Sequence, residues 1–384
     1  MITERENIYW LAWSKIKGLG AVSLKKIYDY YGSLEQAWMV SPQELMKIDG
    51  IGKKLCNSIQ EEKKKIEPDI LYLKHREKNP LFWTPHDRDY PQLLLEIPSP
   101  PPILYYQGQV NLSENQGITP LIGIVGTRKP TEHGRRWTYN ISKALAENGF
   151  TVVSGLAEGI DTIAHQGCLD GGGRTIAVLG NGLDRAYPSS NKGLMEKIKE
   201  KGLILTEYDY GSLPERGNFP ARNRIVAGLC RAVLVMEAPE TSGALITARY
   251  ATEFDRDVYT LPNTPDNAQA RGCLRLIHKG AEIIITSEEL LSSLGVIPPL
   301  DNNPQQSLFP SSSPVIPERT KEEPTLPFPL SLIYRSIEVN ATPFDVIVEK
   351  SNLSSGEVSG MLLQLELEGL ITQLPGMMYS KNEK

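Results

Sequence analysis

Short apolar runs rich in β-branched residues alternate with helical segments through the middle of this chain, and this alternation restricts its fold more than any other feature. The apolar runs lie at 121–125, 151–153, 175–179, 203–206, 232–236, 257–260 and 282–285. Segments with helical spacing of apolar residues include 135–148, 161–170, 221–229 and 242–254. Continuous apolar strands indicate burial on both faces of a mostly parallel sheet, so we predict an α/β, Rossmann-like fold.

The loops after these predicted strands are the candidate functional segments, because ligands of such sheets bind at the carboxyl ends of the strands. Five of the loops combine glycine or a helix start with polar residues, at 126–128, 154–161, 180–188, 219–224 and 242–247. Backbone N–H groups in such turns can bind an anion. The guanidinium groups of Arg128, Arg222 and Arg224 can each bind phosphate through two hydrogen bonds. The ring of Phe219 can stack on a nucleic acid base.

Two glycine units near the N-terminus have the pattern hydrophobic-Gly-x-Gly between amphipathic segments. They are 16–20, which ends in Gly18-Leu-Gly20, and 48–52, which ends in Gly50-Ile-Gly52 and is followed by Lys53 and Lys54. The pair resembles the helix-hairpin-helix motif, which contacts DNA phosphates through bare backbone N–H groups without reading sequence. Alternatively, the glycines only permit tight turns between helices. The residues themselves leave both interpretations open.

The loop motifs of the central section, taken together and in order, resemble those of the DNA processing protein A family (DprA, also called Smf). They are G-T-R at 126–128, S-G-x-A-x-G-I-D-x-x-A-H at 154–165, L-G-x-G-L-D-x-x-Y-P at 179–188, F-P-x-R-N-R-I at 219–225 and S-G-A-L-I-T at 242–247. The resemblance covers about 120–290 closely. It implies a cytoplasmic homodimer that binds single-stranded DNA without sequence specificity and loads the RecA recombinase during natural transformation and DNA recombination.

The same resemblance implies a DNA-binding pocket formed by the loops after the strands. Its expected residues are Gly126, Thr127, Arg128, Ser154, Gly155, Lys192, Phe219, Arg222, Asn223, Arg224, Ser242 and Gly243. Lys192 is included because some members of the family carry a lysine directly after the Tyr-Pro pair, where this chain has Ser189. A second DNA contact is expected at the two glycine units, through Gly18, Gly20, Gly50, Gly52, Lys53 and Lys54.

Some of these polar residues have alternative roles within the protein. Arg222 and Arg224 could pair with acids such as Glu207 or Glu237 instead of phosphate. His165 follows Asp161 in a pattern that could suggest acid–base chemistry. We expect instead that Asp161 caps the helix that it begins and that His165 packs or forms hydrogen bonds locally.

A nucleotide-processing enzyme of the nucleoside monophosphate hydrolase type is the alternative from another functional class. Such Rossmann-like proteins carry the signature G-G-x-G-T-x-x-E. The nearest segment, 242–253, lacks both the glycine pair and the glutamate spacing. The histidines show neither metal-ligand clustering nor the spacing of a Ser-His-Asp triad. We therefore expect no enzymatic activity, no cofactor and no metal.

Changes in composition predict four regions along the chain. They are a helix-hairpin-helix (SAM-like) domain at 1–75, an extended Rossmann-like DNA-binding and dimerisation domain at 80–296, a proline-rich linker at 297–328 and a winged-helix-like domain at 329–384. The last region is predicted to contain helices at 332–337, 344–350 and 357–368, and then a hairpin turning at Pro375-Gly376. Its predicted third helix carries no Lys or Arg, which favours protein contact or regulation over DNA binding.

Charge and hydropathy restrict the partners of the chain. It carries 41 Lys and Arg against 46 Asp and Glu, a net charge of −5, so a polyanion site must be a local concentration of arginine or N–H groups. No apolar run approaches the roughly 18 residues of a membrane helix, and the acidic N-terminus is unlike a signal peptide. We therefore expect a cytoplasmic protein without membrane contact. The cysteines form no C-x-x-C pair, so we expect reduced and mostly buried thiols at Cys56, Cys168, Cys230 and Cys273.

Overall fold

The computed structural model describes residues 2–79, 81–296, 329–337, 342–351, 353, 355–367, 370–374 and 378–381. The chain forms two compact units, Met1–Pro304 and Gln305–Lys384. The predicted linker at 297–328 and the predicted turn at Pro375-Gly376 lie outside the described residues. Within the described residues, no helix has the length and the apolar character needed to span a lipid bilayer.

Helices alone form the N-terminal part of the first unit. They are α1 (Ile2–Ser14), α2 (Ala21–Tyr31), α3 (Leu34–Met39), α4 (Pro42–Leu45), α5 (Lys53–Lys63) and α6 (Pro68–Lys78). The two glycine units have the same backbone geometry: Gly18 and Gly50 both adopt φ +85°, and Gly20 and Gly52 are the N-caps of α2 and α5. The left-handed φ at Gly18 and Gly50 explains why glycine is required at these positions.

A mixed sheet forms the centre of the first unit. Its strands are β1 (Phe82–Trp83), β2 (Leu104–Gly108), β3 (Leu121–Val125), β4 (Thr151–Ser154), β5 (Thr175–Val178), β6 (Leu203–Thr206), β7 (Ala232–Val235), β8 (Asp257–Thr260) and β9 (Glu282–Ile283). In the described part of the chain their order is β1-β2-β6-β5-β4-β3-β7-β8-β9. The strands from β3 to β9 are parallel, as predicted, and form at the predicted positions.

Strands β1 and β2 extend the sheet in the antiparallel sense, and the sequence did not predict them. Strand β2 pairs with β6 through Tyr105 and Thr206, and β1 pairs with β2. Prolines interrupt this part of the chain at 98 and at 100–102, and β1 is only two residues long. Strand β2 has five residues but ends in the exposed pair Gln107 and Gly108, so neither strand shows the continuous apolar pattern of the central strands.

Helices cover both faces of the sheet. They are α7 (Gln92–Glu96), α8 (Leu112–Asn115), α9 (Glu132–Glu147), α10 (Ile160–Asp170), α11 (Lys192–Lys201), α12 (Asn218–Leu229), α13 (Ala244–Glu253), α14 (Arg271–His278) and α15 (Ser287–Val296). Alternate residues of β3 enter different cores: Leu121 and Val125 pack with α12 and α13, whereas Ile122 and Ile124 pack with α9 and α10. The prediction of a sheet buried on both faces is therefore confirmed. The four cysteines are free and buried, also as predicted.

The second unit has a winged-helix fold. Its described elements are α16 (Leu330–Ser336), β10 (Thr342–Pro343), α17 (Phe344–Ser351), α18 (Ser355–Leu367), β11 (Ile371–Leu374) and β12 (Met378–Lys381). Strand β12 pairs with both β11 and β10, and Ile333, Ile347 and Leu365 are fully buried in the core. The three helices and the hairpin agree with the prediction. Strand β10 was not predicted, because its pairing with Tyr379 is distant in sequence.

A chain of hydrogen bonds joins the N-terminal helices to the edge of the sheet. The carboxylate of Asp209, in the loop after β6, accepts from Lys15 Nζ at 2.5 Å and from the Tyr105 hydroxyl at 2.6 Å. His75 Nε2 lies 2.9 Å from the same hydroxyl. Because the Tyr105 proton is directed at Asp209, His75 donates through Nε2. These contacts fix α6 and the end of α1 against β2 and the loop after β6.

The environment of these groups favours a charged Asp209 and a neutral His75. Burial raises the pKa of Asp209, but the charge and hydrogen bond of Lys15 and the hydrogen bond of Tyr105 outweigh burial and hold this pKa below its usual value. Burial lowers the pKa of His75, and the opposing charge of Asp209 does not restore it. When the pH falls, Asp209 therefore loses these interactions on protonation, whereas protonation of His75 is opposed by the cost of burying its charge.

We expect Asp209→Asn to destabilise the protein by about 1 kcal/mol at pH 7, a modest amount because the Asp209 side chain is 44% exposed. The folded-state pKa of Asp209 lies below the unfolded value, so its contribution is present above the unfolded value and disappears as the pH falls through the folded value. Urea denaturation of the wild type and the variant at pH 7 and pH 3 measures the loss of stability and its dependence on pH. An equal difference at the two pH values would contradict the ionic role of Asp209.

Candidate nucleic-acid interface

The order of the strands places a crevice at the carboxyl ends of β3 and β7. From β3 the chain proceeds through β4, β5 and β6 on one side, and then returns to add β7 on the other side. The loops after β3 and β7 therefore leave in opposite directions, and a gap opens between them. The crevice in this gap has a volume of about 730 Å³, which is enough for a nucleotide-sized group.

The loops after β3, β4, β5, β6, β7 and β8 and the starts of α10, α12 and α13 line the crevice. The loop after β3 contributes Gly126, Thr127, Arg128 and Lys129. The start of α12 contributes Phe219, Pro220, Arg222 and Asn223, and the segment before α13 contributes Pro239, Ser242 and Gly243. Of the expected pocket residues, the structure thus brings together Gly126, Thr127, Arg128, Phe219, Arg222, Asn223, Ser242 and Gly243. Gly155 lines a smaller adjoining pocket with Arg128, Tyr187 and Phe219.

Exposed basic side chains at the crevice make it locally positive although the chain is acidic overall. Arg128, Lys129 and Arg216 are exposed and line it. The salt bridges of the described residues leave these three without an acidic partner. Of the acids, Asp161 lies at the base of the crevice and Glu158 at the adjoining pocket. The surplus of cations gives the crevice the charge that an anionic ligand requires.

Aromatic rings lie next to these cations. The rings of Tyr187 and Phe219 stack with centroids 5.2 Å apart and planes inclined by 30°. The guanidinium of Arg128 lies over the Phe219 ring, 5.8 Å from its centroid. A cation beside an aromatic pair can bind phosphate with one group and a base with the other.

The guanidinium of Arg222 lies beneath the crevice, and only 4% of the residue is exposed. Its Nη1 donates to the carbonyl of Gly155 at 2.8 Å and to that of Val178. A Cβ on residue 155 would lie 2.5 Å from Nη2, so only glycine leaves room for the guanidinium. Burial lowers the pKa of Arg222, although the charge of Asp161 opposes the shift. Arg222 therefore connects α12 to the ends of β4 and β5 within the protein.

Arg224 pairs with Glu207, which is one of the two acids that the sequence offered as an alternative to phosphate. Its Nη1 and Nη2 donate to the two carboxylate oxygens at 2.6 and 2.7 Å. Burial alone would lower the pKa of Arg224, but the hydrogen bond and charge of Glu207 raise it above the usual value. The other acid, Glu237, accepts instead from Thr131 and Asn267. Arg224 is thus already neutralised and does not line the crevice described here.

Two further expected residues lie outside the crevice. Ser154 is fully buried at the end of β4 and donates its hydroxyl to the carbonyl of Ile124 at 2.6 Å. Lys192 is exposed at the start of α11 and does not line the described crevice. The hydroxyl that the sequence motif offers is therefore already used in a hydrogen bond between β4 and β3.

Asp161 and His165 both form hydrogen bonds within the protein. The prediction was correct for His165 and wrong for Asp161. Asp161 Oδ2 accepts from the backbone N–H groups of Gly155 and Ala157, at 3.1 and 3.3 Å, so it binds the preceding loop and does not cap α10. Burial raises its pKa, despite the charge of Arg222 and these hydrogen bonds. His165 Nδ1 contacts Thr175 Oγ1 at 2.7 Å, which confirms its expected local hydrogen bond. Burial lowers the pKa of His165 to about 3, so the ring is neutral.

The two glycine units of the N-terminal helices form a separate exposed surface. Gly18, Gly20 and Gly52 have open space where a Cβ would lie, and Lys53 and Lys54 are exposed at the start of α5. The Ser58 hydroxyl donates to the carbonyl of Lys17 at 2.8 Å and so holds the two units side by side. These residues do not line the crevice at the sheet.

Four residues that line the crevice were given no role from the sequence. Lys129, Tyr187, Arg216 and Gln269 line the crevice, and Thr127 Oγ1 contacts Gln269 Oε1 at 3.4 Å. Tyr187 belongs to a motif that was recognised, but its role was not assigned. Gln269 is far from the other residues in sequence. Only the folded chain brings it to them.

The chain matches two family models. The model described as DNA recombination-mediator protein A matches residues 81–295, and the DprA winged helix domain matches residues 317–377. A protein Smf of Synechocystis is 51% identical over 98% of this chain and 99% of its own length.

Two solved structures are also similar. DNA processing protein A of Streptococcus pneumoniae has a TM-score of 0.65 at 36% identity, and the match covers 74% of this chain and 97% of that chain. A DNA processing protein A of Helicobacter pylori, described for its single-stranded DNA binding mode, has a TM-score of 0.50 at 32% identity. That match covers 56% of this chain and 97% of the other.

We expect Arg222→Met to destabilise the protein by on the order of 3 kcal/mol, because it removes buried hydrogen bonds and the positive charge that most favours the ionised form of Asp161. The matched control is Arg128→Met, which removes the same charge from an exposed position and should change stability by less than about 0.5 kcal/mol. Urea denaturation at pH 7 measures both variants. Equal midpoints for the two would show that Arg222 has no structural role.

Proposed function

Because this chain belongs to the DNA recombination-mediator protein A family, we propose that it binds single-stranded DNA without sequence specificity and loads RecA recombinase onto it during natural transformation and DNA recombination. The observation that carries the DNA part is the crevice, where exposed cations without acidic partners lie beside a stacked aromatic pair. The description of the Helicobacter relative as a single-stranded DNA binder supports it. RecA as the partner rests on the family resemblance.

The chemistry of the crevice suits a flexible, unpaired strand. Arg128, Lys129 and Arg216 present their charges to phosphates, which occur in every sequence and so give affinity without specificity. The aromatic rings offer stacking to any base. Arg222 holds α12 against the ends of β4 and β5 beneath this surface. Arg224 holds α12 to the loop after β6 through its ion pair with Glu207. These two arginines were expected as phosphate contacts, and we now propose that Arg128 is the chief contact among the three.

We propose three further features on the family resemblance. The first is that the chain acts as a homodimer through its central domain, and the second is that it acts on DNA without being an enzyme. The third is a weaker second DNA contact at the two glycine units, through N–H groups beside Lys53 and Lys54. The identical φ of +85° at Gly18 and Gly50 supports this contact, because it gives both units the same exposed turn.

We expect Arg128→Ala to weaken binding to oligo-dT and to reduce the slope of log affinity against log salt concentration by roughly 0.7, since one counterion-releasing contact is lost. Phe219→Ala should weaken binding by roughly 1–3 kcal/mol without changing the slope, because it removes one ring of the stacked aromatic pair and stacking releases no ions. Fluorescence anisotropy at several salt concentrations measures both effects.

The matched control is Arg249→Ala, which removes a positive charge that is also exposed, lies outside the crevice and pairs with Glu253. This variant should keep the affinity and slope of the wild type. Thermal melts confirm that each protein is folded. If Arg128→Ala behaved like the control, the crevice would not be the phosphate site, and release of free base from AMP by the wild type would contradict the non-enzymatic assignment.

We expect deletion of 297–384 to leave single-strand binding within about threefold of the full chain. The crevice belongs wholly to the first compact unit, and the deleted segment is acidic, with 6 Lys and Arg against 11 Asp and Glu, so it offers little to phosphate. Anisotropy with oligo-dT compares the two proteins. A tenfold loss of affinity in a folded truncated protein would instead place part of the DNA site in the second unit.

A further inference from the structure

The ring of Phe219 is enclosed on several sides. Its Cδ1 would lie 2.8 Å from a Cβ on residue 180, so the ring packs closely against the bare backbone of Gly180. The Tyr187 ring stacks on it, and the Arg128 guanidinium lies over it. Phe219 is accordingly only part-exposed. A base that approaches the crevice would therefore meet these neighbours before it met the full face of Phe219.

Tyr187 is the outer member of the aromatic pair. It is 42% exposed and lines both the crevice and the smaller pocket that adjoins it. One side of its ring is supported by Phe219, so an approaching flat group can occupy the exposed remainder. The exposed cations Arg128 and Lys129 line the same crevice, so a stacking surface and positive charge lie within one region.

The loop that carries Tyr187 is held in place by hydrogen bonds at its start. The side chain of Asn181 is buried and donates to the carbonyls of Gly182 and Arg185 at 2.9 and 2.8 Å. The carboxylate of Asp184 accepts from the backbone N–H of Gly211 at 2.8 Å. Such a loop presents the ring with little loss of conformational freedom on binding.

On the basis of the proposed binding of single-stranded DNA, we propose that Tyr187 is the outer stacking surface for an unpaired base, with Phe219 behind it. The ligand chemistry required is a planar, unpaired nucleobase on a strand whose phosphate reaches Arg128 or Lys129. Every base has such a face, so the contact does not select sequence. A base within a duplex is already stacked on both faces, so the contact favours single strands over double strands.

The test compares variants at Tyr187 on two ligands, an oligo-dT strand of about 20 nucleotides and an abasic strand of the same length that keeps the phosphates. We expect Tyr187→Ala and Tyr187→Leu to lose roughly 5- to 100-fold in affinity for oligo-dT and to bind the abasic strand like the wild type. Tyr187→Phe keeps the ring and should stay within about twofold on both ligands. The salt slope should be unchanged in all three variants.

The matched control is Tyr210→Ala, at a tyrosine that is 55% exposed in the neighbouring loop and does not line the crevice. It should bind both ligands like the wild type, and thermal melts establish that all variants are folded. Unchanged affinity of Tyr187→Ala for oligo-dT would overturn the proposal. So would an equal loss on the oligo-dT and abasic strands, because Tyr187 would then only position Arg128 and Phe219. If the wild type itself bound neither strand, both the proposed function and the role of Tyr187 would be overturned. That result differs from the other two, in which the wild type binds DNA.

Discussion

The buried guanidinium of Arg222 is the contact on which the arrangement of the crevice depends. It joins the N-terminal part of α12 to the carbonyls at the carboxyl ends of β4 and β5. A buried charge is tolerated only where hydrogen bonds and a counter-charge compensate for lost hydration, and here the carbonyls and nearby Asp161 do so. Because Phe219 lies in the same turn of α12, the position of the aromatic pair follows from this contact. Gly155 is required by it, since any Cβ would collide with the guanidinium.

The charge of the crevice differs in sign from the net charge of the chain. The net charge of −5 would suggest a poor ligand for a polyanion. Within the first unit, however, two acids have partners inside the protein: Glu207 pairs with Arg224, and Glu237 accepts a hydrogen bond from Thr131. Arg128 and Lys129 remain at the surface without such partners among the described residues. The crevice is therefore positive because its exposed cations outnumber Asp161, the acid at its base, while Glu207 and Glu237 have partners within the protein.

Much of the fold was predictable because its signals are local. The parallel strands are continuous apolar runs in the sequence, since both faces of each strand are buried. The matching turns at Gly18 and Gly50 were visible as a repeated glycine pattern. Strands β1 and β10 were missed because each has only two residues, and β2 was missed because it ends in polar residues and pairs with β6, which is distant in sequence. The site was predictable as a set of loops, since the carboxyl ends of parallel strands meet at one edge of a sheet.

The sequence by itself determined the class of fold, the loops that form the crevice and the family, because these depend on periodicity and on motifs of adjacent residues. Only the tertiary structure decided what each polar side chain does. Arg128, Arg222 and Arg224 are equivalent as residue types, yet one is exposed, one is buried under the crevice and one is paired with an acid. The physical reason is that the state of a charged group depends on its burial and on partners brought from distant parts of the chain, and sequence spacing does not encode those distances.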